Sequence, residues 1–281
     1  MLISLVMPTF NRTDLLRKSL LSVLRQSLQP NELVLSDDGS SEDIISGIRD
    51  ILGKINFPVK FISQEDRGFR AARCRNNGIR LAKGDFIICL DPDIVFSAHY
   101  LRTLVEAIEK KRFIVGAVIR LAEQESKKMT MRHIETCDFS SILSKPQKQI
   151  IIKQYRKEFL YSMLNKLKLR RQGPKLRSCV VGFFKDDFVK VNGFDEKYVG
   201  WGNEDDDLGV RFYAAGIRGK NPFKKDYAIH LFHQRFHNDE RVNRSYQKNR
   251  MKVINKNNFR CEFGYDIYDS QDEIKMENVE L

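Results

Sequence analysis

The chain has 281 residues, with 49 Lys and Arg against 37 Asp and Glu, a formal charge of +12, and 42% hydrophobic and 31% charged residues. That length holds one large α/β domain with an elaboration, and the composition excludes a disordered chain. The positive balance points to an anionic partner; nucleic acid, anionic lipid and nucleotide-sugars all fit the sign.

The opening "MLISLVMPTFNR" has no basic leader, and its apolar run stops at Pro8. It is too short to span a membrane, lacks a signal-cleavage pattern, and predicts a first strand. Further apolar runs bounded by turn residues predict strands over 32–36, 59–63, 86–90 and 113–119. Between them lie helical patterns. In "TDLLRKSLLSVLRQSL", Leu16, Leu20, Val23, Leu24 and Leu28 share one face, with Thr13 as N-cap and Asp14 in the first turn. Further helices are expected over about 41–52, 70–82 and 98–110. Strands alternating with helices predict an α/β fold: a mostly parallel sheet with helices on both faces.

The pattern changes over 123–176, which are polar and basic around "KQYRKEFLYSMLNKLKLRRQGPK". Phe159, Leu160, Met163, Leu164 and Leu167 form an apolar helical stripe flanked by Lys and Arg. Such a helix either packs on its own domain with a solvated basic face or lies on an anionic membrane surface. The tail "DSQDEIKMENVEL" is acidic and expected to be loosely ordered. The cysteines at 74, 89, 137, 179 and 261 are odd in number and scattered, without zinc spacing. Reduced thiols in a cytosolic setting are the simplest reading.

In "DFIICLDPDIVF", two carboxylates follow a buried-strand pattern where the strand must leave the sheet. The carboxyl end of an open α/β sheet is where ligands bind, and residues two apart on an extended chain face the same way. Asp91 and Asp93 can therefore face one ligand, with a cation between them. Oxygen ligands suit Mg²⁺ or Mn²⁺, which share their shell with substrate phosphates. The competing reading is a solvated turn around Pro92. At the ends of the first two strands, "PTFNR" places Arg12 to meet a phosphate. "DDGS" offers Asp37 and Asp38 to a base or ribose. Arg67, Arg70, Arg73 and Arg75 cluster around a helix start suited to phosphate.

"MPTFNR", "DDGS" and "AARCRNNGIRLAKGDFIICLDPDI", in that order, resemble the nucleotide-sugar half of GT-A glycosyltransferases, above all family 2, over 1–120. The resemblance implies that Pro8, Thr9, Arg12 and one of Asp37 or Asp38 hold uridine. It also implies that Arg75 lies near the nucleotide and that Asp91 and Asp93 form the DXD metal site. Pro92 departs from the usual middle residue but supplies no ligand. After a basic helical insertion over 121–176, the half over 177–265 contains "VGFFKDDFVKVNGFDEKYVGWGNEDDDLGVRFYAAG", and an acidic tail covers 266–281. The quoted stretch resembles the acceptor-side segment of β-1,4-galactosyltransferases and chondroitin-type polymerases.

By position in that motif, Asp205 is the general base and Glu204 its neighbouring acceptor ligand. Trp201, Gly202 and Asp206 join them on the acceptor, the indole stacking on a sugar face. Four acids opening a helix are partly balanced by its macrodipole. Of His230, His233 and His237, similarity to the polymerase ending favours His233 as third metal ligand, with His230 second. An Asp/Asp/His set favours Mn²⁺ over Mg²⁺.

The expected activity is inverting transfer of a hexose or N-acetylhexosamine from a UDP-sugar to a glycan or lipid-linked glycan acceptor, on the cytoplasmic side of a membrane. Two rival readings remain. "FIICLDPDIVF" also resembles the start of haloacid-dehalogenase phosphatases, but the dense acids here follow Gly-Trp-Gly rather than the apolar strand that family requires, and "PTFNR" and "DDGS" would go unexplained. A basic nucleic-acid-binding protein using 145–176 lacks aromatics spaced for base stacking.

Overall fold

Ile3, Leu5 and Met7 of the first strand pack into one buried cluster and Val6 into another. Phe86, Ile88 and Leu90 divide from Ile87 and Cys89 in the same way. A strand whose alternate residues are both buried lies in a sheet covered on both faces, and for that reason it reads as a continuous apolar run. The computed structural model describes residues 1–234, 240–266 and 274–279.

The first half runs β1 (Ile3–Thr9), α1 (Thr13–Leu24), β2 (Glu32–Asp37), α2 (Ile44–Leu52), β3 (Val59–Gln64), α3 (Ala71–Leu81), β4 (Phe86–Leu90), β5 (Ile94–Phe96), α4 (Tyr100–Glu106), β6 (Arg112–Val115) and β7 (Val118–Arg120). There follow α5 (Glu123–Lys127), α6 (Met131–Thr136), α7 (Lys145–Lys166), β8 (Val180–Phe184), α8 (Lys185–Lys190), α9 (Glu204–Ala214), β9 (Arg218–Lys220), β10 (Ala228–His230), α10 (Glu240–Val253) and β11 (Ile274–Val279). The large sheet has the order β11-β3-β2-β1-β4-β8-β6-β9, and β5-β10-β7 form a small second sheet. Strands β3, β2, β1 and β4 are parallel, whereas β8 runs antiparallel to β4 and β6. The chain leaves β1 for β2 on one side and reaches β4 on the other, which opens a crevice at the carboxyl ends of β1 and β4.

Four sequence expectations are corrected. The apolar run over 113–119 is two strands in different sheets. A Cβ on Gly116 would lie 2.5 Å from a Phe223 ring carbon and 2.8 Å from the Tyr100 hydroxyl, so the glycine lets the backbone cross between sheets against those rings. Thr13 is the first helical residue rather than the cap; its N–H donates to the Glu42 carboxylate at 3.0 Å. Helix α1 also ends before Leu28. Residues 274–279, expected in a loose tail, pair antiparallel with β3 as an edge strand. No helix among the described residues is long and apolar enough to cross a membrane.

Candidate active site

A cavity of about 940 Å³ lies over the carboxyl ends of β1 and β4. Pro8, Thr9, Arg12 and Asp38 line one part of its wall. Thr9 is buried, and its hydroxyl has no hydrogen-bond partner among the described residues, an unusual state for a buried polar group beside a cavity. The two aspartates of "DDGS" separate in role. Asp37 accepts from the Gly39 and Ser40 N–H groups and from the Ser40 and Ser63 hydroxyls, so it braces the turn and does not line the cavity. Asp38 accepts from the Arg70 N–H at 2.7 Å and the Gln64 amide at 2.5 Å. Burial pushes its carboxyl up to about 6 against those hydrogen bonds.

Asp91 and Asp93 both line the cavity, on different partners. The Asp91 carboxylate accepts from Arg75 Nη2 at 2.9 Å. Asp93 is buried, with Oδ2 2.9 Å from His233 Nε2 and 3.6 Å from His230 Nε2. Strand pairing accounts for this meeting. His230 pairs with Ile94 across β5 and β10, and the Leu231 N–H donates to the Asp93 carbonyl at 2.9 Å. Asp93, His230 and His233 each offer a ligand atom, all within 4.8 Å of one another. Of the expected set of Asp91, Asp93 and His233, the last two therefore meet His230 in one cluster, while Asp91 pairs with Arg75. His237 lies outside the described residues.

The donor chemistry of this trio fits a divalent transition metal. Asp93 Oδ1 is buried with no hydrogen-bond partner among the described residues. Burial lowers the His230 pKa and so favours the neutral imidazole that a metal requires. Burial alone would raise Asp93, but the His233 hydrogen bond and the charges of His230 and Arg12 outweigh it and hold the carboxyl below its usual range. Arg12 closes the cluster, with Nη1 3.2 Å from His233 Nε2 and 3.6 Å from Asp93 Oδ2.

At another part of the wall, the chain turns into α9 through Gly200, Gly202 and Asn203, all at positive φ. Gly202 has a φ of +97°, and nothing lies within 4 Å of where a Cβ would sit, so backbone conformation alone demands glycine there. This turn leaves Trp201 46% exposed on the cavity wall beside Glu204, Asp205 and Asp206. Glu204 accepts from Arg75 Nη1 at 3.2 Å, and Asp206 pairs with Lys175 at 2.6 Å. Asp205 has no basic partner within ion-pair distance among the described residues. Burial first, then Glu204 and Asp206, push its carboxyl up to about 7. The fourth acid, Asp207, faces away from the cavity into an ion pair with Arg211, both fully buried.

Sequence reading missed Lys175, Arg177 and Arg120 as cavity walls. A polybasic run does not reveal which cation faces inward. The available signal was the apolar run of β8: antiparallel pairing of Leu90 with Val180 puts the residues before β8 beside Asp91, and the Asp91 N–H donates to the Cys179 carbonyl at 3.0 Å. The insertion boundary at 176 thus cuts through the site wall.

The model of glycosyl transferase family 2 matches residues 4–184. The chain belongs to that family. A second model, described as the N-terminal domain of galactosyltransferase, matches residues 158–234, which hold Trp201, the α9 acids, His230 and His233. Validoxylamine A glucosyltransferase of Streptomyces hygroscopicus subsp. limoneus is 27% identical over 253 residues, 84% of this chain and 53% of that protein. Hyaluronan synthase of Pasteurella multocida is 30% identical over 254 residues, 83% of this chain and 24% of the synthase. The family 2 chain thus spans about half the length of the first relative and about a quarter of the second. Among solved structures, Staphylococcus aureus TarS in complex with UDP-GlcNAc matches with TM-score 0.58 and 16% identity over 84% of this chain and 60% of that one. The mannosyltransferase PcManGT of Pyrobaculum calidifontis, in complex with GDP-Man and Mn²⁺, gives 0.56 and 16% over 86% and 60%. The fold is therefore the GT-A fold. Family membership removes the dehalogenase-type reading of Asp91.

Proposed function

We propose that the protein transfers a hexose or N-acetylhexosamine from a UDP-sugar to a hydroxyl of a glycan or lipid-linked glycan, with inversion at the anomeric carbon. The observation that carries this reading is the meeting of the two acid sets, Asp91 and Asp93 with Glu204 and Asp205, on the wall of one cavity. TarS has been crystallised with UDP and with UDP-GlcNAc, which supports a UDP-sugar donor for this chain.

In this reading Thr9 and Asp38 receive the uridine, and Arg12 meets the diphosphate. The acceptor sugar stacks on Trp201 and donates hydroxyl hydrogen bonds to Glu204 and Asp206. Asp205 takes the proton of the attacking hydroxyl. The freed oxygen bonds to the anomeric carbon from the face opposite UDP as the bond from that carbon to the phosphate oxygen breaks. A carboxyl raised to about 7 is well matched to that proton near neutrality. Asp93, His230 and His233 would hold Mn²⁺, or less well Mg²⁺, and the bound ion supplies charge to stabilise the leaving diphosphate. Asp91 keeps Arg75 at the junction of the donor and acceptor ends.

Calorimetric titration with UDP in Mn²⁺, in Mg²⁺ and in EDTA, followed by a UDP-sugar panel assayed for UDP release, tests the reading. Binding that needs the metal and release with one sugar are expected. Absence of UDP binding under every condition would refute it.

A further inference from the structure

Seven of the sixteen exposed large hydrophobic side chains among the described residues fall between 150 and 169. Helix α7 buries only Ile151 and Glu158, seven apart and so on one narrow face. On its last two turns and the loop beyond, Phe159, Leu160, Met163, Leu167 and Leu169 are each between 49% and 74% exposed. The apolar stripe therefore does not pack on its own domain; it faces outward.

We infer that this face of α7, with the 167–171 loop, docks on an anionic lipid bilayer. Its chemistry chooses among occupants. Residues 150–171 carry seven cations, Lys153, Arg156, Lys157, Lys166, Lys168, Arg170 and Arg171, against the single acid Glu158. That acid is buried and paired with Arg177 at 2.7 Å, so it does not offset the surface charge. A second copy of the chain seated on this face would bring the same cations together, which disfavours self-association. Nucleic acid would satisfy the cations but leave the aliphatic side chains against phosphate. A bilayer with acidic headgroups satisfies both, as Lys and Arg stems reach the headgroups while Phe159, Met163 and Leu167 enter the acyl boundary.

The face is also joined to the active site. Glu158 accepts from Arg177 and from the Asn221 amide, each at 2.7 Å, and Arg177 lines the cavity. The chain continues from Leu169 to Lys175, another cavity residue, within one short loop. The docked helix would hold the acceptor end of the cavity near the headgroups, where a lipid-linked glycan presents its terminal sugar. Only this last step rests on the proposed function; the docking itself stands on α7.

Co-sedimentation of the full chain with vesicles of phosphatidylcholine alone, and of equal parts phosphatidylcholine and phosphatidylglycerol, tests the inference. Binding to the second only, weakened by salt, is expected. Phe159→Ser/Met163→Ser and Arg170→Glu/Arg171→Glu should each lower it at least about tenfold. These side chains lie outside the cavity, so calorimetric UDP binding should be unchanged in both double variants. Three results would overturn the inference: no vesicle binding, vesicle binding unaltered in both variants, or a wild-type dimer in light scattering that Phe159→Ser/Met163→Ser dissolves. Salt-sensitive retention on RNA without vesicle binding would overturn it in favour of nucleic acid. Failure of UDP to bind would instead count against the transferase reading and leave the vesicle result standing.

Discussion

Asp91 and Glu204 are held on the two terminal nitrogens of one guanidinium: Arg75 places Nη2 at 2.9 Å from the first and Nη1 at 3.2 Å from the second. All three side chains are largely shielded from water. Burial works against the arginine's charge, but the two carboxylates outweigh it and raise its pKa further. Arg75 thus ties β4 of the donor end to α9 of the acceptor end, and removing it strands two carboxylates in a poorly solvated wall.

Arg75→Met should therefore destabilise the protein by about 3–5 kcal/mol, the usual cost of breaking a buried ion pair from one side. Urea denaturation followed by circular dichroism measures this. A loss well under 1 kcal/mol would show that the guanidinium contributes little to holding the two ends together.

Asp205→Asn removes the proposed base without removing bulk. The expected outcome is a fall in turnover of about 10²–10⁴ with UDP affinity retained. In the wild-type enzyme, a carboxyl raised to about 7 is mostly protonated below that pH. The turnover should thus climb as pH rises towards 7 and level off above it, and the variant should lack that limb. A shared pH limb in both proteins would assign the titration elsewhere.

Stability should move in the opposite direction. Asp38 and Asp205 have folded pKa values of about 6 and about 7, above the ordinary carboxylate value that applies on unfolding. Between those limits the folded state binds more protons, so their contribution to stability is full below the ordinary carboxylate range, declines as pH rises out of it, and is spent once pH passes about 6 for Asp38 and about 7 for Asp205. Asp38→Asn/Asp205→Asn should flatten that part of a plot of urea midpoint against pH.

Asp93→Ala and His233→Ala should each abolish Mn²⁺ binding seen by electron paramagnetic resonance in the absence of nucleotide, and His230→Ala should weaken it. Asp91→Ala separates the proposed trio of Asp93, His230 and His233 from the expected set of Asp91, Asp93 and His233. If the trio holds the ion, this variant keeps its Mn²⁺ signal; loss equal to that of Asp93→Ala would restore Asp91 to the ligand set.

Trp201→Ala should raise the acceptor KM by about 2–10-fold, the worth of one aromatic stacking contact, and leave donor binding as it was. An unchanged acceptor KM would move the acceptor off the indole.

The alternation of β1, β2, β3 and β4 with α1, α2 and α3 was legible because the strands are largely buried on both faces and α1 and α2 each show an apolar stripe, while α3, buried nearly all round, is marked by the stop at Gly84. What was not legible depended on register and partner choice. Asp37 and Asp38 are chemically identical, and what separates them is partners from later segments: the Ser63 hydroxyl on Asp37, and the Gln64 amide and Arg70 N–H on Asp38. Asp91 reads as a metal ligand until Arg75, from a distant helix, takes it. His230 reads as second to His233 until β10 sets it opposite Ile94. The α7 stripe reads more readily as packed on its own domain than as a docking surface; periodicity finds a face and says nothing of what covers it. Residues 274–279 alternate too weakly to announce an edge strand.

The short pairing of β5 with β10 has a consequence for how this chain can change over time. Successive side chains of a strand emerge on opposite sides, so a deletion of one residue in Ile94–Phe96, or of Ala228 or Ile229, would rotate an imidazole away from its carboxylate while leaving every donor atom in the sequence. Length changes in these two three-residue segments should therefore disturb the site as severely as loss of one of its side chains.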